Sequence, residues 1–322
     1  MQLPYFKVIR QESKNTGMDT LNIENLNKKY SIKNEYTELS FESGQGGIPV
    51  VNIKNRQATA SISVQGAHLL SWIPAGADDV IWLSADATFA PGKSIRGGIP
   101  VCWPWFGAHE NNKDYPAHGF ARTELWQVTA TQSISADETQ ITFTLDTNQR
   151  DSDKQAMWPW PTTVEYSLII AKTLSLEVKT TNLSGQTITI GQALHTYFSI
   201  HDINHTTVTG LEGKEYLDKT DGFKRKQQIG PITIDSEVDR VYLETPDDVV
   251  VDDTKRKITI KKRESQTTIV WNPWKDVAEK MGDLGENGYL NMLCVESANA
   301  AQDTVSLAAG ESHSLRVTYA IE

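Results

Sequence analysis

The sequence predicts an all-β protein, a large antiparallel β-sandwich with a few short helices. Three observations lead to this fold class. Apolar and polar residues alternate over many short segments, turn sequences separate these segments, and strands do not alternate with ten-residue amphipathic helices as in a parallel α/β sheet. An alternation with a period of two is what a half-buried strand requires, because successive side chains point to opposite faces of a sheet.

The strand segments follow one another along the chain, each with its own apolar face. They are centred on Ile141, Phe143 and Leu145, on Leu174, Leu176 and Val178, on Ile188 and Ile190, on Ile258 and Ile260, and on Leu315, Val317 and Tyr319. Turns are predicted at Asn182-Leu183-Ser184-Gly185, Asp221-Gly222 and Gly230-Pro231. Because proline is favoured at the first position of a helix, Asn272-Pro273 predicts a short helix through Ala278 to Met281.

The predicted domain organisation is simple. Residues 1–30 are polar and weakly patterned, so we expect them to form a peripheral N-terminal segment. Residues 31–322 have an even composition, without an internal repeat or a linker rich in Pro, Gly or Ser. We therefore expect them to form one sandwich domain.

Composition and charge restrict the class of partner. The 322 residues carry a formal net charge of −10, which argues against a nucleic-acid partner because most of the surface would repel its phosphates. A few local arginines can still hold a small anion, since salt screens exposed charges over about 8 Å. The two cysteines, the lack of an apolar leader and the absence of any stretch of about 18 apolar residues favour a cytoplasmic protein without a membrane partner. We expect a monomer.

The densest unusual stretch is residues 94–126, SIRGGIPVCWPWFGAHENNKDYPAHGFARTELW. It interrupts the strand rhythm with glycines and prolines, and it carries the polar residues Arg96, His109, His118 and Arg122. An irregular, aromatic and polar segment on a β scaffold is where binding sites are commonly built. The alternative interpretation is a long loop that packs Trp103, Trp105 and Phe106 into the core.

Two further candidates are single ionisable residues in apolar surroundings. His195 lies in ALHTYF and is either a structural histidine or a proton-transfer group. Glu296 ends the apolar run LCVE, where desolvation would raise the pKa of its carboxyl group toward the range of a general base. The alternative is a glutamate at the end of a strand that points into water.

The sequence gives little support for a metal site or a bound cofactor. His201 and His205 have the spacing of a helical zinc pair, but their segment, HDINHTTVTG, is typical of turns and strands, which predicts surface histidines. The sequence contains no G-x-S-x-G elbow, no Walker-type loop and no G-x-G-x-x-G fingerprint. We therefore predict no metal and no cofactor.

Six motifs, in order, resemble those of the D-hexose-6-phosphate mutarotases, or glucose-6-phosphate 1-epimerases, a branch of the aldose 1-epimerase superfamily. They are SIRGGIPVCWPWFG, PAHGFAR, ALHTYF, VDRVY, VWNPW and LCVE, and they span residues 94–296. The resemblance implies a galactose mutarotase-like sandwich that interconverts the α and β anomers of a phosphosugar. Several relatives carry Gln directly before HGFAR as a substrate contact, whereas Ala117 stands here.

The resemblance also implies roles for individual residues. His195 would be the general acid that protonates the ring oxygen, and Glu296 the general base that takes the proton of the anomeric hydroxyl. Arg96 and Arg122 would hold the phosphate, and Asp239 and His118 would contact the sugar. These types suit the reaction, because His and Glu can be tuned close to neutral pH and Arg binds an oxyanion through two parallel hydrogen bonds.

Two alternatives from other classes remain. A carbohydrate-binding or sugar-sensing protein without catalysis would use the same sandwich, aromatic residues and arginines, but it would not need the pair of His195 and Glu296. A glycosidase would need two suitably spaced carboxylates, for which Asp239 and Glu296 are the candidates, and it would leave the histidine without a role.

Overall fold

The computed structural model describes residues 22–149 and 152–322. Three α-helices lie within these residues: α1 (Ile23–Tyr30), α2 (Ser152–Met157) and α3 (Trp274–Met281). The strands of the described part are β1 (Ile32–Lys33), β2 (Glu38–Ser43), β3 (Pro49–Lys54), β4 (Ala58–Ser63), β5 (His68–Pro74), β6 (Val101–Cys102), β7 (Gln127–Ser133), β8 (Thr139–Asp146), β9 (Thr162–Ile170), β10 (Leu174–Asn182), β11 (Ile188–Ile190), β12 (Gln192–Leu194), β13 (Tyr197–Ser199), β14 (Thr207–Thr209), β15 (Glu215–Asp218), β16 (Lys224–Gln227), β17 (Ile232–Thr233), β18 (Val238–Leu243), β19 (Val249–Asp252), β20 (Lys257–Arg263), β21 (Thr267–Asn272), β22 (Met292–Asn299), β23 (Val305–Leu307) and β24 (Ser312–Ile321).

The strands form two large sheets and two smaller ones. The nine-stranded sheet has the order β17-β14-β19-β20-β24-β10-β9-β8-β7. The eight-stranded sheet has the order β16-β15-β18-β21-β22-β12-β6, and β13 also pairs with β22. A five-stranded sheet, β1 to β5 in sequence order, and the pair β11-β23 complete the scaffold. The named strands pair antiparallel throughout the described residues.

One contiguous hydrophobic core joins these sheets. The nine-stranded sheet contributes Tyr166 and Val317, and the eight-stranded sheet contributes Val270 and Val295, all of them buried. Burying a side chain of this size contributes about 1.5–3 kcal/mol relative to leaving it exposed. Because side chains alternate along each strand, the opposite face of β21 and β22 is left to carry other residues, and the candidate site lies there.

The predicted sandwich and its strands are confirmed. The segment around Ile141, Phe143 and Leu145 is β8, in which buried and partly exposed residues alternate along the whole strand. The predicted short helix is α3, which begins at Trp274, and the side-chain oxygen of Asn272 accepts a hydrogen bond from its first backbone N–H. Within the described residues, no helix is both long and apolar enough to span a lipid bilayer.

The predicted peripheral segment, residues 1–30, is described only in part, since residues 1–21 lie outside the described residues. Its end forms α1, whose Leu26 is buried against the sandwich. Asn27 anchors this helix to β2, because its side-chain amide donates to the carbonyl of Phe41 at 2.7 Å and accepts from the N–H of the same residue at 2.8 Å. The helix therefore packs on β2 through the buried Leu26 and the two hydrogen bonds of Asn27.

A buried histidine in β5 makes stability depend on pH. His68 is fully buried and its Nε2 lies 2.8 Å from the carbonyl of Gly97, and burial lowers its pKa from 6.5 to about 4. Between these values the unfolded chain binds a proton that the native state excludes, so stability falls as the pH falls. The loss is about 1.4 kcal/mol per pH unit, or about 3 kcal/mol by pH 4.

We therefore expect His68→Gln, whose amide can still donate to Gly97, to flatten the pH dependence of stability between pH 6.5 and 4. Urea unfolding at several pH values measures this slope, and the exposed His201→Gln is the matched control. An unchanged slope in the His68 variant would show that this histidine is not the group responsible.

Candidate functional site

Four neighbouring strands of the eight-stranded sheet place one row of side chains on the face that is turned away from the core. Asp239 of β18 pairs with Trp271 of β21, Trp271 pairs with Cys294 of β22, and Cys294 pairs with Tyr197 of β13. Directly paired residues of antiparallel strands project from the same face. Glu296 follows Cys294 by two residues, so its carboxyl group lies on this face as well.

His195 lies opposite Glu296, between the ends of β12 and β13. Its Nε2 is 3.4 Å from Oε1 of Glu296, and the residues are 8% and 1% exposed. The backbone N–H of His195 donates to the carbonyl of Pro100, and the neighbouring Thr196 bonds through its hydroxyl to Tyr319 Oη at 2.6 Å. The histidine is thus held by both the irregular segment and the opposite sheet.

The surroundings of the pair favour a single shared proton. Burial raises the pKa of Glu296 well above its ordinary value, and the nearby charge of Asp239 adds to this effect. Burial also lowers the pKa of His195 well below its ordinary value, with smaller contributions from His118, Arg122 and Arg96. Glu296 Oε2 and His195 Nδ1 are buried and have no hydrogen-bond partner within the described residues. Each atom therefore keeps an unused hydrogen-bonding capacity.

Aromatic rings enclose the histidine. Tyr197 stacks on His195 with ring centroids 4.9 Å apart and an angle of 11° between the planes. Trp271 and His118 meet the imidazole edge to face, at 5.9 Å and 5.5 Å. The ring position is therefore restricted on several sides.

The segment of residues 94–126 brings the remaining candidates to the same place. His118 and Gly119 both have left-handed backbone angles, with φ of 67° and 69°. A Cβ atom on Gly119 would lie 2.0 Å from the carbonyl oxygen of Trp103, so a side chain does not fit here. His118 Nδ1 accepts a hydrogen bond from the N–H of Gly107, which leaves Nε2–H free to face a ligand. Of the three aromatic residues of this segment, Trp103 is buried while Trp105 and Phe106 are partly buried, and the ring of His118 lies against that of His195.

Arg96 and Arg122 differ in their partners. Arg96 Nε is 3.0 Å from Oδ1 of Asp283, and its Nη1 donates to the hydroxyl oxygen of Tyr197 at 3.1 Å. Arg122 Nη2 donates to the backbone carbonyl of Ala117 at 2.9 Å. The carboxylate of Asp283 therefore already neutralises part of the charge of Arg96, whereas this hydrogen bond of Arg122 is to a neutral carbonyl group.

Asp239 is an ion-paired residue at the edge of the site. Its Oδ2 lies 2.5 Å from Nζ of Lys219, and the two side chains are 16% and 29% exposed. Burial raises the pKa of Asp239, while Lys219 lowers it. The lysine lies in a one-turn 3₁₀ helix between β15 and β16, so this hairpin adds a cation to the rim of the site.

All six candidate residues from the sequence thus come together around one face of the sheet. The structure adds residues that sequence reasoning missed, namely Tyr197, Lys219, Trp271, Asp283 and Cys294. Cys294 lies two positions before Glu296 on β22, a spacing that places both side chains on the same strand face. Tyr197 follows His195 by two residues, and its ring stacks on the imidazole. Asp283 gives no local signal, because 187 positions separate it from Arg96.

The possible metal ligands of the described residues include one cluster in this site. Ligand atoms of His195, Cys294 and Glu296 lie within 4.8 Å of one another. His201 and His205 are exposed surface residues, as the sequence predicts, and Nδ1 of His205 pairs with Asp202 at 2.8 Å.

Comparison with known proteins assigns the chain to a family. The family model described as aldose 1-epimerase matches residues 49–320, which include all the strands of the candidate site. The chain belongs to the aldose 1-epimerase family. It is thus an isomerase of the mutarotase type, and its sandwich is the scaffold of that family.

Relatives of this epimerase share its sequence over most of their length. A protein of Escherichia coli strain K12 named "Putative glucose-6-phosphate 1-epimerase" is 36% identical over 258 residues, which are 79% of this chain and 84% of that protein. A protein of Cenchrus ciliaris with the same name is 35% identical over 265 residues, covering 80% and 79% of the two chains. A crystal structure of a "putative mutarotase (YeaD)" from Salmonella typhimurium matches with a TM-score of 0.81 and 30% identity, over 93% of this epimerase and 98% of that chain.

Proposed function

We propose that this aldose 1-epimerase interconverts the α and β anomers of hexose 6-phosphates, glucose 6-phosphate above all, with His195 as general acid and Glu296 as general base. The observation that carries the proposal is the contact of 3.4 Å between two buried proton-transfer groups beside two arginines. Relatives named for glucose-6-phosphate 1-epimerase activity support the choice of a phosphorylated sugar.

The reaction needs one acid and one base. Glu296 takes the proton of the C1 hydroxyl while His195 donates a proton to the ring oxygen, and the bond between C1 and the ring oxygen breaks to give an open-chain aldehyde. After rotation about the C1–C2 bond, the ring oxygen attacks the other face of C1 and the two residues exchange roles. The pair returns to its starting protonation state, so no further reactant is consumed.

Burial of the pair favours the ring-opened stage. Ring opening converts a carboxylate and an imidazolium into a neutral carboxyl group and a neutral imidazole. The raised pKa of Glu296 and the lowered pKa of His195 both favour these neutral forms. The same desolvation makes the carboxylate–imidazolium pair that begins ring opening the minor form of the one-proton state, and the neutral pair that ring opening leaves is the favoured form.

The cations around the site provide the phosphate specificity in this proposal. The protein has a net charge of −10, yet Arg96, Arg122 and Lys219 surround the pair, and each of them influences the pKa of His195 or Glu296. Arg122 is the leading candidate for phosphate binding, because Asp283 already pairs with Arg96 and Asp239 pairs with Lys219. His118 and Asp239 would bind sugar hydroxyls.

The proposal extends to a monomer in the cytoplasm. The acid, the base and the cations of the proposed site are all contributed by this chain, which supports a monomer. Cys102 and Cys294 are free thiols, as expected in a reducing compartment.

Two alternative functions fit the site less well. A pure sugar-binding protein has no need for a buried acid and base in contact. For a glycosidase, Asp239 would have to act beside Glu296, but Asp239 is paired with Lys219 while Glu296 faces a histidine.

A ring sugar without the C1 hydroxyl tests the proposed specificity. We expect 1,5-anhydroglucitol 6-phosphate, which keeps the ring oxygen and the phosphate, to inhibit the anomer exchange of glucose 6-phosphate competitively. Its counterpart without phosphate should inhibit at a roughly ten- to hundredfold higher concentration, since a charge-assisted hydrogen bond contributes about 1.5–3 kcal/mol. NMR exchange rates at several inhibitor concentrations give both constants, and equal constants would contradict phosphate recognition.

A further inference from the structure

The acid and base of the proposed reaction belong to a second arrangement that the reaction does not use. Cys294 lies two residues before Glu296 on β22, so both side chains project from the same face of this strand. The imidazole of His195 contacts Glu296 on that face. One nitrogen, one sulfur and one oxygen ligand atom thereby lie within 4.8 Å of one another, and all three residues are buried. Thiolate, imidazole and carboxylate are the ligand types that zinc binds in proteins.

We infer that the face formed by His195, Cys294 and Glu296 binds a thiophilic divalent cation such as Zn²⁺, which occupies the sugar site and blocks it. The blocking part of this inference rests on the proposed function, whereas metal binding by the three residues does not. The metal acts here as an inhibitor, and the anomer exchange itself proceeds through the acid and the base.

The distances suit a tetrahedral ion. Zinc bonds to nitrogen and oxygen of about 2.0–2.2 Å at a tetrahedral angle place these two atoms about 3.4 Å apart. Nε2 of His195 and Oε1 of Glu296 are 3.4 Å apart. A zinc–sulfur bond of about 2.3 Å requires a separation of about 3.6 Å from the nitrogen. Because the ligand atoms lie within 4.8 Å of one another, the thiol has to approach by at most about 1.2 Å. Three protein ligands leave the fourth position open toward the sugar site.

An unsatisfied carboxylate oxygen provides an independent observation. Glu296 is 1% exposed, and its Oε2 has no hydrogen-bond partner within the described residues. A buried acceptor without a partner is destabilising, and a cation held by the carboxylate would offset this cost. When the metal binds, the thiol of Cys294 and the one-proton pair of His195 and Glu296 each release a proton to solvent, so the bound ligands are thiolate, neutral imidazole and carboxylate.

The histidine lacks the support that permanent zinc sites have. Ligating histidines normally donate their other ring N–H to an acceptor, and loss of such a partner lowers affinity by about ten- to a hundredfold. His195 Nδ1 is buried and has no such partner in the part of the chain that the structure describes. We therefore expect an exchangeable ion that a chelator removes.

Cobalt is the probe for binding, because a tetrahedral Co²⁺ ion absorbs strongly in the visible region and a cobalt–thiolate bond adds a charge-transfer band in the near ultraviolet. The full chain, freed of any metal-binding tag, is titrated with Co²⁺ and then with Zn²⁺. We expect both bands in the unchanged protein, displacement of both by Zn²⁺, and loss of the thiolate band in Cys294→Ser. The buried Cys102 lies outside the cluster, so Cys102→Ser is the matched control and keeps the band.

The inhibition is measured separately by the anomer exchange of glucose 6-phosphate. We expect Zn²⁺ to stop the exchange and a chelator to restore it. Each variant's rate is expressed relative to its own rate without zinc, and on this scale Cys294→Ser should need at least about tenfold more Zn²⁺ for the same inhibition. The reason is that this variant loses a metal ligand, whereas a loss of about tenfold is typical of losing only a hydrogen-bond partner of a ligand. Absence of the thiolate band, or its persistence in Cys294→Ser, would overturn the metal site. A bound metal with undiminished exchange would overturn the blocking. A protein that shows the cobalt bands but no exchange without metal would instead contradict the proposed function.

Discussion

Glu296→Gln and His195→Ala are each expected to slow the anomer exchange of glucose 6-phosphate by about 10²- to 10⁴-fold, the contribution of one positioned proton-transfer group. Glutamine keeps the size and one acceptor oxygen of Glu296 but cannot take the proton of the C1 hydroxyl. Alanine at position 195 removes the imidazole, whose Nε2 lies 3.4 Å from Oε1 of Glu296. The exchange rate per enzyme molecule, measured by NMR, checks both variants.

The fold should survive these substitutions. Glu296 is buried and has one oxygen without a partner, so its replacement by a neutral amide removes an ionisable group that burial disfavours. Urea unfolding should therefore give a free energy close to that of the unchanged protein. Glu177→Gln, at a partly exposed position, and His201→Ala, at an exposed one, are the matched controls and should retain full exchange. Near-normal exchange in a site variant would remove that residue from the mechanism.

The pH dependence of the exchange follows from the same pair. The reaction needs the state in which His195 and Glu296 share one proton. This state is lost at low pH when His195 takes a second proton, and at high pH when Glu296 releases the proton. Because burial lowers the first pKa and raises the second, the active state extends over a wide range around neutrality.

Arg122→Met is expected to lower kcat/KM for glucose 6-phosphate by roughly ten- to a hundredfold while affecting glucose much less. The guanidinium group would donate parallel hydrogen bonds to the phosphate, and methionine retains the length of the side chain without the charge. Arg96→Met should also weaken use of the phosphosugar, but it additionally frees Asp283 and the hydroxyl of Tyr197. For this reason Arg122 gives the clearer result.

The comparison of two sugars separates binding of the phosphate from a structural role. Exchange rates are measured for glucose 6-phosphate and glucose with the same preparations. Arg316→Met is the control, because this arginine pairs with Glu177 on the outer surface. Equal losses on both sugars in the Arg122 variant would show that this arginine supports the loop of residues 117–122 through its bond to Ala117.

Much of the fold follows from local sequence, because a strand with one buried face has apolar and polar residues alternating at consecutive positions. β8 and β24 were predictable for this reason, and their inward residues Phe143 and Tyr319 are fully buried. The irregular segment of residues 94–126 has no such period. Its path depends on left-handed residues such as Gly119 and on contacts with distant strands, for example the bond from Trp103 Nε1 to Thr180.

The site residues that lie in sequence motifs could be predicted, whereas those that strand pairing brings together could not. His195 and Glu296 were found through their motifs, although their contact joins different strands. The row of Asp239, Trp271, Cys294 and Tyr197 depends on the pairing of four strands, which single segments do not encode. The ion pair of Arg96 with Asp283 depends on the loop after α3, whose position is set by tertiary packing.

Magnetisation-exchange NMR of glucose 6-phosphate at a small, varied concentration of the protein tests the central claim most directly. We predict that the rate of exchange between the α and β anomeric resonances rises in proportion to the protein concentration, and that glucose shows a smaller rise. A rate that does not depend on the protein, while the sugar resonances report saturable binding, would contradict catalysis and identify a sugar-binding protein instead.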